Sequence, residues 1–573
     1  MDVAKPDNLK DPGTLCVYPA HIETTSVDSP NIAGSYSSNQ SAKELVLANS
    51  DLLSICFSYF DPDAFFKDIW EIGTTTRRRL LATALTCKAF FDPAMGLLWR
   101  MMESIIPVLK ILPTFAKMND TYTINGPVTP SQLHRLRQYA KNIRYLYLCG
   151  SQDSIAGHAL LRLSHINPPI FPAVVTVLVS IPTLILRNVE NLNCLFLAGS
   201  SPSLQTLSFT DVTYSTEDFI ASFLSFASGG VAKIENLTLR GRLSDNSLGL
   251  LCEFNKLKTI NLTMQSTTVQ ASAILHCARL EGLEELCVRL DNSSIFDASY
   301  QGSTIPFPTL KTLELCGPTT EVAKILTSMT APTLQNITVS FSPSFGWVSV
   351  ETVEACIEAC GAISPLSLQH LRLLGGSGHG TGLVLSRGSL LPLASCVQLK
   401  SFELSGAQLL ITDVDIQQIC EGGAWKNLES LRLPLSTRRI APSLVAVIIL
   451  ARCCPALQTL VASIDFSLHD YATLRTERSA AGRTANQLRS LTIFRVSPDS
   501  AGSGGHTQQV PEVNSMSLAI GVSRFLESHF PYLDSMQYIT ESIAEADWWS
   551  GVKALVEEYR QLRDEVKGGL EHF

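Results

Sequence analysis

The chain is short of charge, and what charge it has is not positive. Only 17% of its 573 residues are Asp, Glu, Lys or Arg, and 52 acidic side chains outnumber 44 basic ones for a net charge of −8. That balance argues against general nucleic-acid binding, which needs many cations to neutralise phosphate. Paired cysteine motifs are absent. The 15 cysteines include no C-x-x-C; Cys356 and Cys360 stand four apart and Cys453 adjoins Cys454, with no second pair at zinc-binding spacing. An odd, scattered set in apolar surroundings points to a reducing compartment rather than a secreted disulfide framework. Met1 to Lys10 carries Asp2, Lys5, Pro6 and Asp7 in place of an apolar leader core, so no signal peptide is expected. The longest apolar run, Ile170 to Leu186, falls short of the roughly 20 residues that span a bilayer, and Pro172 and Pro182 interrupt it. A soluble intracellular protein, cytoplasmic or nuclear, is expected, with protein partners and neither membrane nor nucleic acid.

Catalytic signatures are missing too. Gly375 to Gly382 is the one glycine-rich run that could cradle a phosphate. No Gly-Lys-Ser/Thr follows it, so a turn is the better reading, and an enzyme using this loop through His379 stands only as a distant third hypothesis. There is no G-x-S-x-G elbow, and the 11 histidines are dispersed. No catalytic residue, metal or cofactor is expected. The sequons at Asn236, Asn261 and Asn336 lie in predicted strands, and Arg77-Arg78-Arg79 reads as the solvated start of a helix.

What is present is apolar surface and repetition. Hydrophobic residues make up 45% of the chain, enough for a large core. Residues 1–40 read as a disordered tail, 41–106 as a small all-α unit and 107–142 as a connecting segment. A solenoid is predicted over 143–496, a flexible loop over 497–516 and a helical cap over 517–573. The solenoid rests on the pattern apolar-x-x-apolar-x-apolar. Copies begin at Ile143, Val174, Leu204, Ile234, Leu257, Leu283, Leu310, Leu334, Leu368, Leu399, Leu428, Leu457 and Leu488, about 29 residues apart on average. That period belongs to leucine-rich repeats whose strands are followed by helices. Alternate strand residues point to opposite faces, so the third position of each copy should be polar if one face is solvated. It is Thr, Ser or Asn in ten copies and Tyr145, Glu285 or His370 in the others. The asparagine that usually follows such strands is missing, its places taken by Ser151, Val212, Arg242, Gln265 and Asp291. Backbone groups in the turns must find other partners. The predicted class is therefore α/β: a parallel-stranded leucine-rich-repeat solenoid, helices outside, behind a helical N-terminal unit.

That unit contains Asp51-Leu-Leu-Ser-Ile-Cys-Phe-Ser-Tyr-Phe60, Arg79-Leu-Leu-Ala-Thr-Ala-Leu-Thr-Cys-Lys-Ala-Phe90 and Leu97-Leu-Trp-Arg100. Over residues 41–102 it resembles an F-box, with Ala48-Asn49 where the family opens on Leu-Pro and an insertion from Asp61 to Thr76. With the repeats behind it, including Ala424-Trp-Lys-Asn-Leu-Glu-Ser-Leu431 and Cys453-Cys-Pro-Ala-Leu-Gln-Thr-Leu460, the chain looks like the F-box proteins common in mushroom-forming fungi. The resemblance implies docking to the Skp-type adaptor of a cullin–RING ubiquitin ligase through Leu52, Leu53, Ile55, Phe57, Tyr59, Phe60, Leu85, Cys87, Phe90, Leu98 and Trp99, any of which could instead be core. Leu85 and Trp99 are the strongest candidates for a core-only role. The solenoid would then select a protein substrate. Its charged or aromatic candidates on the concave face are Tyr145, Tyr147, Arg240, Glu285, Arg289, Glu314, His370, Arg372, Glu403 and Arg432. A leucine-rich scaffold with no ubiquitin link is the alternative.

Overall fold

A computed structural model describes residues 44, 46–47, 49–59, 74–148, 153–182, 189–230, 233–265, 268–291, 295–297, 304–341, 349–375, 383–421, 423, 425–434, 441–465, 487–494, 516–539 and 543–570. The expected tail, the 497–515 loop and Gly376 to Gly382 of the glycine run lie outside these residues.

Fifteen strands form one sheet, and they follow one another in space in the order in which they occur in the chain. They are β1 Met101–Met102, β2 Tyr145–Leu148, β3 Thr176–Ser180, β4 Thr206–Val212, β5 Asn236–Gly241, β6 Thr259–Met264, β7 Glu285–Leu290, β8 Thr312–Cys316, β9 Asn336–Phe341, β10 His370–Gly375, β11 Ser401–Ser405, β12 Ser430–Arg432, β13 Thr459–Ser463, β14 Ser490–Phe494 and β15 Ser535–Ile539. Neighbouring strands are parallel, and third positions stand side by side from one copy to the next: Thr206 against Asn236, Glu285 against Thr312, His370 against Ser401. All three apolar positions of every copy are buried. Helices between the strands, among them Tyr214–Ser228, Thr319–Ser328, Val350–Ile363 and Leu444–Cys453, bury their inner faces in the same core, which runs from Met102 to Val556. This is a leucine-rich-repeat solenoid.

The sheet takes in one strand beyond the predicted copies at each end. β15 follows Leu533 and contains Met536 and Tyr538, a further copy of the pattern. β1 pairs with β2 so that Met101 faces Tyr145, which puts Trp99 level with Ile143, the first apolar position. Residues 106–140 also belong to the solenoid end. They comprise Ile106–Leu109, a hairpin of Phe115–Met118 with Thr121–Ile124, and helix Pro130–Ala140, and they supply Leu109, Leu112 and Leu136 to the main core. At the other end, helices Met516–His529 and Ile543–Leu570 flank β15. Ser523 Oγ donates to Val552 O across them at 3.1 Å, and Trp549 stacks on Tyr538 at 4.6 Å.

At the places of the missing asparagines, backbone amides bridge successive repeats, Arg242 N donating to Val212 O and Gln265 N to Gly241 O; hydroxyls bridge them at the entry to the strands. Immediately before the first leucine of several copies, a Ser or Thr reaches back one repeat. Thr309 Oγ1 donates to Leu283 O at 2.9 Å, Thr333 Oγ1 to Leu310 O at 3.0 Å and Ser367 Oγ to Leu334 O at 2.9 Å. Each hydroxyl engages the carbonyl of the corresponding leucine one repeat earlier, so a step of the solenoid is bridged without a side-chain amide. Thr333→Val keeps the volume but removes that donor, and chemical denaturation should show a loss of about 1 kcal/mol.

Carboxylates bridge repeats on the helical side. Glu217 accepts from Ser244 N and, at 2.7 Å, from Ser247 Oγ; Asp413 accepts from Ser443 N and Oγ; Glu354 accepts from Ser386 N at 3.0 Å and Ser389 Oγ at 2.6 Å. The Ser389 hydroxyl holds the Glu354 carboxyl below its ordinary value of 4.5. A carboxylate favoured by folding contributes fully above its unfolded pKa, and that contribution is lost as pH falls through the lower folded value. Glu354→Gln should therefore give a flatter acid limb in melting temperature against pH below about 4.5. An unchanged slope would contradict this pairing.

The N-terminal unit has its own small core. Its helices are α1 Ser50–Ser58, α2 Thr74–Ala84 and α3 Lys88–Arg100, and Leu53, Phe57, Leu80, Ala84 and Ala94 meet between them. Helix α2 ends at Ala84, and Cys87 is extended (φ −156°, ψ 161°) immediately before α3. Pro93 lies inside α3, one turn on, where its missing N–H costs a single backbone bond. Asn49 accepts from the Asp51 and Leu52 amides at 3.0 Å each and so caps α1.

Candidate protein-binding surfaces

Helix α1 is apolar on two sides. Leu53 (5% exposed) and Phe57 (7%), four apart, face the small core, where Phe57 meets Phe90 edge-on at 5.6 Å. Leu52, Ile55, Cys56 and Tyr59 recur at i, i+3, i+4 and i+7, which is one helical stripe, and all four are exposed, Ile55 at 60% and Tyr59 at 80%. The polar residues Asp51, Ser54 and Ser58 occupy the remaining arc. Helix α2 and the turn after it add Leu81 and Leu85, again four apart; Leu85, a candidate for the core, is 70% exposed. Phe91 of α3 is exposed as well. An isolated exposed apolar side chain is ordinary, but four along one helical stripe make a candidate interaction surface. Among the sequence candidates, then, Leu52, Ile55, Tyr59 and Leu85 are displayed, whereas Leu53 and Phe57 hold the unit together. Cys87, Phe90 and Leu98 are half-buried, the last two against the small core. Phe60 lies outside the described residues. The exposed Cys56, Leu81 and Phe91 were not among the sequence candidates; helical spacing, with Cys56 four residues after Leu52 and Leu81 four before Leu85, is the signal that could have found the first two.

Trp99 belongs to the other side. It packs on the solenoid core, with its ring 5.4 Å from Tyr139. Because α3 passes directly into β1 at Met101, the helical unit has no linker to swing on. A second tie comes from Arg77, which donates to Met101 O at 3.3 Å and pairs with Glu103 at 3.1 Å. Arg77 therefore clamps α2 to the first strand, while Arg78 and Arg79 are exposed.

The second surface is the open face of the sheet. All ten residues singled out on it occupy outward strand positions, and none is buried. The structure sorts them into groups. Tyr145 and Tyr147 lie on β2 near the N-terminal end, with the Arg100 guanidinium 6.0 Å from the Tyr145 ring centre. Arg240 is 4.0 Å from Asp211. Arg289 pairs with Glu314 at 2.7 Å, which raises the arginine's pKa; the adjoining Cys287 thiol is pushed up to about 11, chiefly by burial and then by the Glu314 charge. Glu285 accepts from Thr259 Oγ1 at 3.4 Å. Farther along, Arg372, Glu403 and Arg432 are cross-strand neighbours in one row, with Arg372 Nε 2.9 Å from Glu403; His370 precedes Arg372 on the same face. Between these groups the face is hydroxyl and amide, with Asn236 Nδ2 bonded to Thr206 Oγ1 at 3.2 Å and Asn336 Nδ2 to Thr312 Oγ1 at 3.1 Å. Such a face offers hydrogen bonds over its whole length and charge at a few points, which suits an extended protein partner more than a small ligand.

Among the described residues no helix is long and apolar enough to cross a membrane, and no group of His, Cys, Asp and Glu is placed to hold a metal ion. The described cysteines are free thiols.

No family model and no curated protein matches the chain. Solved structures similar to it include an internalin of Listeria monocytogenes, 14% identical over 74% of this chain and 87% of that one, with a TM-score of 0.33. A leucine-rich-repeat protein of Leptospira interrogans is 13% identical over 71% and 81%, TM-score 0.30. A Bacteroides fragilis protein is 14% identical over 48% and 64%, TM-score 0.24. The fold assignment itself rests on the sheet: consecutive parallel strands, one per repeat, with a buried leucine face and an open polar face, an architecture that serves protein interaction.

Proposed function

We propose that the chain is the substrate-recognition subunit of a cullin–RING ubiquitin ligase, with residues 41–106 docking the Skp-type adaptor and the open sheet face binding the protein substrate. The observation that carries this reading is the exposed stripe Leu52, Ile55, Cys56 and Tyr59 of α1, with Leu81 and Leu85 also exposed, on a unit whose sequence resembles an F-box. The stripe is the part of that unit not needed for its own core, and burying it against a partner would remove apolar area from water at about 25 cal/mol per Å². The chain itself performs no chemistry in this role. It holds two partners at a fixed separation, and the direct passage of α3 into β1 supplies the stiffness that turns binding at both surfaces into a high effective concentration of substrate lysine near the conjugating enzyme. Tyr145, Tyr147, Arg240, Glu285, Arg289, Glu314, His370, Arg372, Glu403 and Arg432 are the proposed substrate contacts.

Calorimetric titration of the full chain with a Skp-type adaptor tests the docking half. A one-to-one complex is expected. Absence of heat and of co-elution, with a chain that melts cooperatively, would refute docking and leave a stand-alone leucine-rich scaffold.

A further inference from the structure

Away from both surfaces, on the helical side of the solenoid, a thiol, an imidazole and a carboxylate meet. Asp245 opens the short helix Asp245–Gly249, Cys252 lies in the 3₁₀ turn Leu250–Glu253 and His276 lies in helix Ala271–Ala278 of the next repeat. Cys252 Sγ is 3.6 Å from His276 Nδ1 and 3.4 Å from His276 O, and His276 Nε2 is 4.0 Å from Asp245 Oδ1. The His276 side chain is 19% exposed and Cys252 is half-buried, so the imidazole is held and the residue that carries the thiol is not closed off from solvent.

The arrangement is ordered in the sense that activated thiols require: nucleophile, base, and a third group that orients the base. A carboxylate beside Nε2 favours the tautomer with its proton there. That leaves the Nδ1 lone pair facing the thiol, whose single proton can turn from the His276 carbonyl, to which it donates at 3.4 Å, to Nδ1 at 3.6 Å. Other titratable groups nearby do not compete for the imidazole. Cys277, next to His276 in sequence, is fully buried, and its thiol is pushed up to about 12, chiefly by burial. Glu253 accepts from Ser228 Oγ at 2.6 Å, and Glu217 accepts from Ser244 N and Ser247 Oγ.

We infer that Cys252 is a modification site that undergoes thiol–disulfide exchange with a small-molecule disulfide, His276 acting as its base and Asp245 as the positioning residue. The thiol proton passes to His276 Nδ1 and the thiolate attacks one sulfur of the disulfide. A new S–S bond forms at Cys252 while the original S–S bond breaks, and the leaving sulfur departs as a thiolate with the bonding pair. No net oxidant beyond the disulfide is consumed.

The chain carries its own control in Cys56, which is more exposed than Cys252. The full chain is incubated with glutathione disulfide, and the mixed disulfide at each cysteine is followed by peptide mass spectrometry between pH 6 and 9. At pH 7 Cys252 should react roughly tenfold faster than Cys56, with a pH profile that begins to rise at lower pH. His276→Gln should remove that advantage, and Asp245→Asn should reduce it, both without changing the Cys56 rate. The unchanged Cys56 rate and an unchanged melting temperature show that the variants are folded; should His276→Gln fail to fold, Asp245→Asn and the wild-type pH profile decide. Reaction at Cys56 as fast as at Cys252, or a Cys252 rate indifferent to Asp245→Asn, would overturn the assignment.

Discussion

Ile55→Asp combined with Leu85→Asp should weaken adaptor binding by at least about 100-fold, some 2.7 kcal/mol, while leaving the melting curve of the free chain unchanged. Both side chains are more than half exposed, so the new carboxylates remain hydrated in the free chain and disturb no packing. On docking, each would be stripped of water inside an apolar contact without a cation opposite, and burial of an unpaired charge is among the costliest changes an interface can suffer. The choice of residues decides what the experiment reports. Phe57→Asp would also abolish binding, but by placing a charge in the small core beside Phe90 and unfolding the unit. Loss of binding by that variant would say nothing about the surface. Titration and melting of the Ile55/Leu85 variant in parallel separate the two, and retained affinity would move the docking site elsewhere.

Gly406→Ala should lower stability by about 3 kcal/mol or more. Gly406 follows β11 with φ +77°, and a Cβ there would stand 2.3 Å from Gly375 Cα and 2.5 Å from Gly375 C, both backbone atoms at the end of β10. Neither a rotamer change nor a flexible neighbour can relieve that contact, and an L side chain also resists the backbone conformation. Repeat stability is a sum of nearest-neighbour interfaces, so the damage should concentrate between β10 and β11. Amide exchange should accelerate at residues 370–375 and 401–405 more than at β4 and β5. A melting temperature equal to wild type would contradict the close approach. The same contact accounts for Gly375, the first residue of the glycine-rich run: it lets two successive turns touch.

The repeat architecture was legible because a strand with one buried face writes itself as alternation, and thirteen copies of one short pattern leave little room for chance. The terminal strands were harder. β15 is separated from the preceding copy by a long interval that hides it, and around β1 Trp99, at the end of α3, and Met102 stand where the pattern shows leucine. Residues 107–142, read as a connection, form the end of the solenoid, because a mixture of one hairpin and short helices has no single period to detect. In the helical unit, spacing located the helices but could not say which of two apolar faces on α1 packs inward. That depends on where α3 lies, a tertiary fact, and it is why Leu85, marked as a core candidate, stands in solvent while Phe57 is enclosed. The hydroxyl bridges at Thr309, Thr333 and Ser367 had no signal beyond a hydroxyl residue standing just before the first leucine of a copy. Cys252, His276 and Asp245 had no signal in their spacing; the stacking of one repeat on the next brings them together.

The claim that the helical unit is the docking surface and the sheet face is reserved for another partner is tested most directly by hydrogen–deuterium exchange of the full chain with and without a Skp-type adaptor. Protection is expected at residues 49–59 and 81–91, with exchange across β4 to β14 unchanged. Protection on the open face of the sheet, or none anywhere in a demonstrated complex with the helical unit, would contradict it.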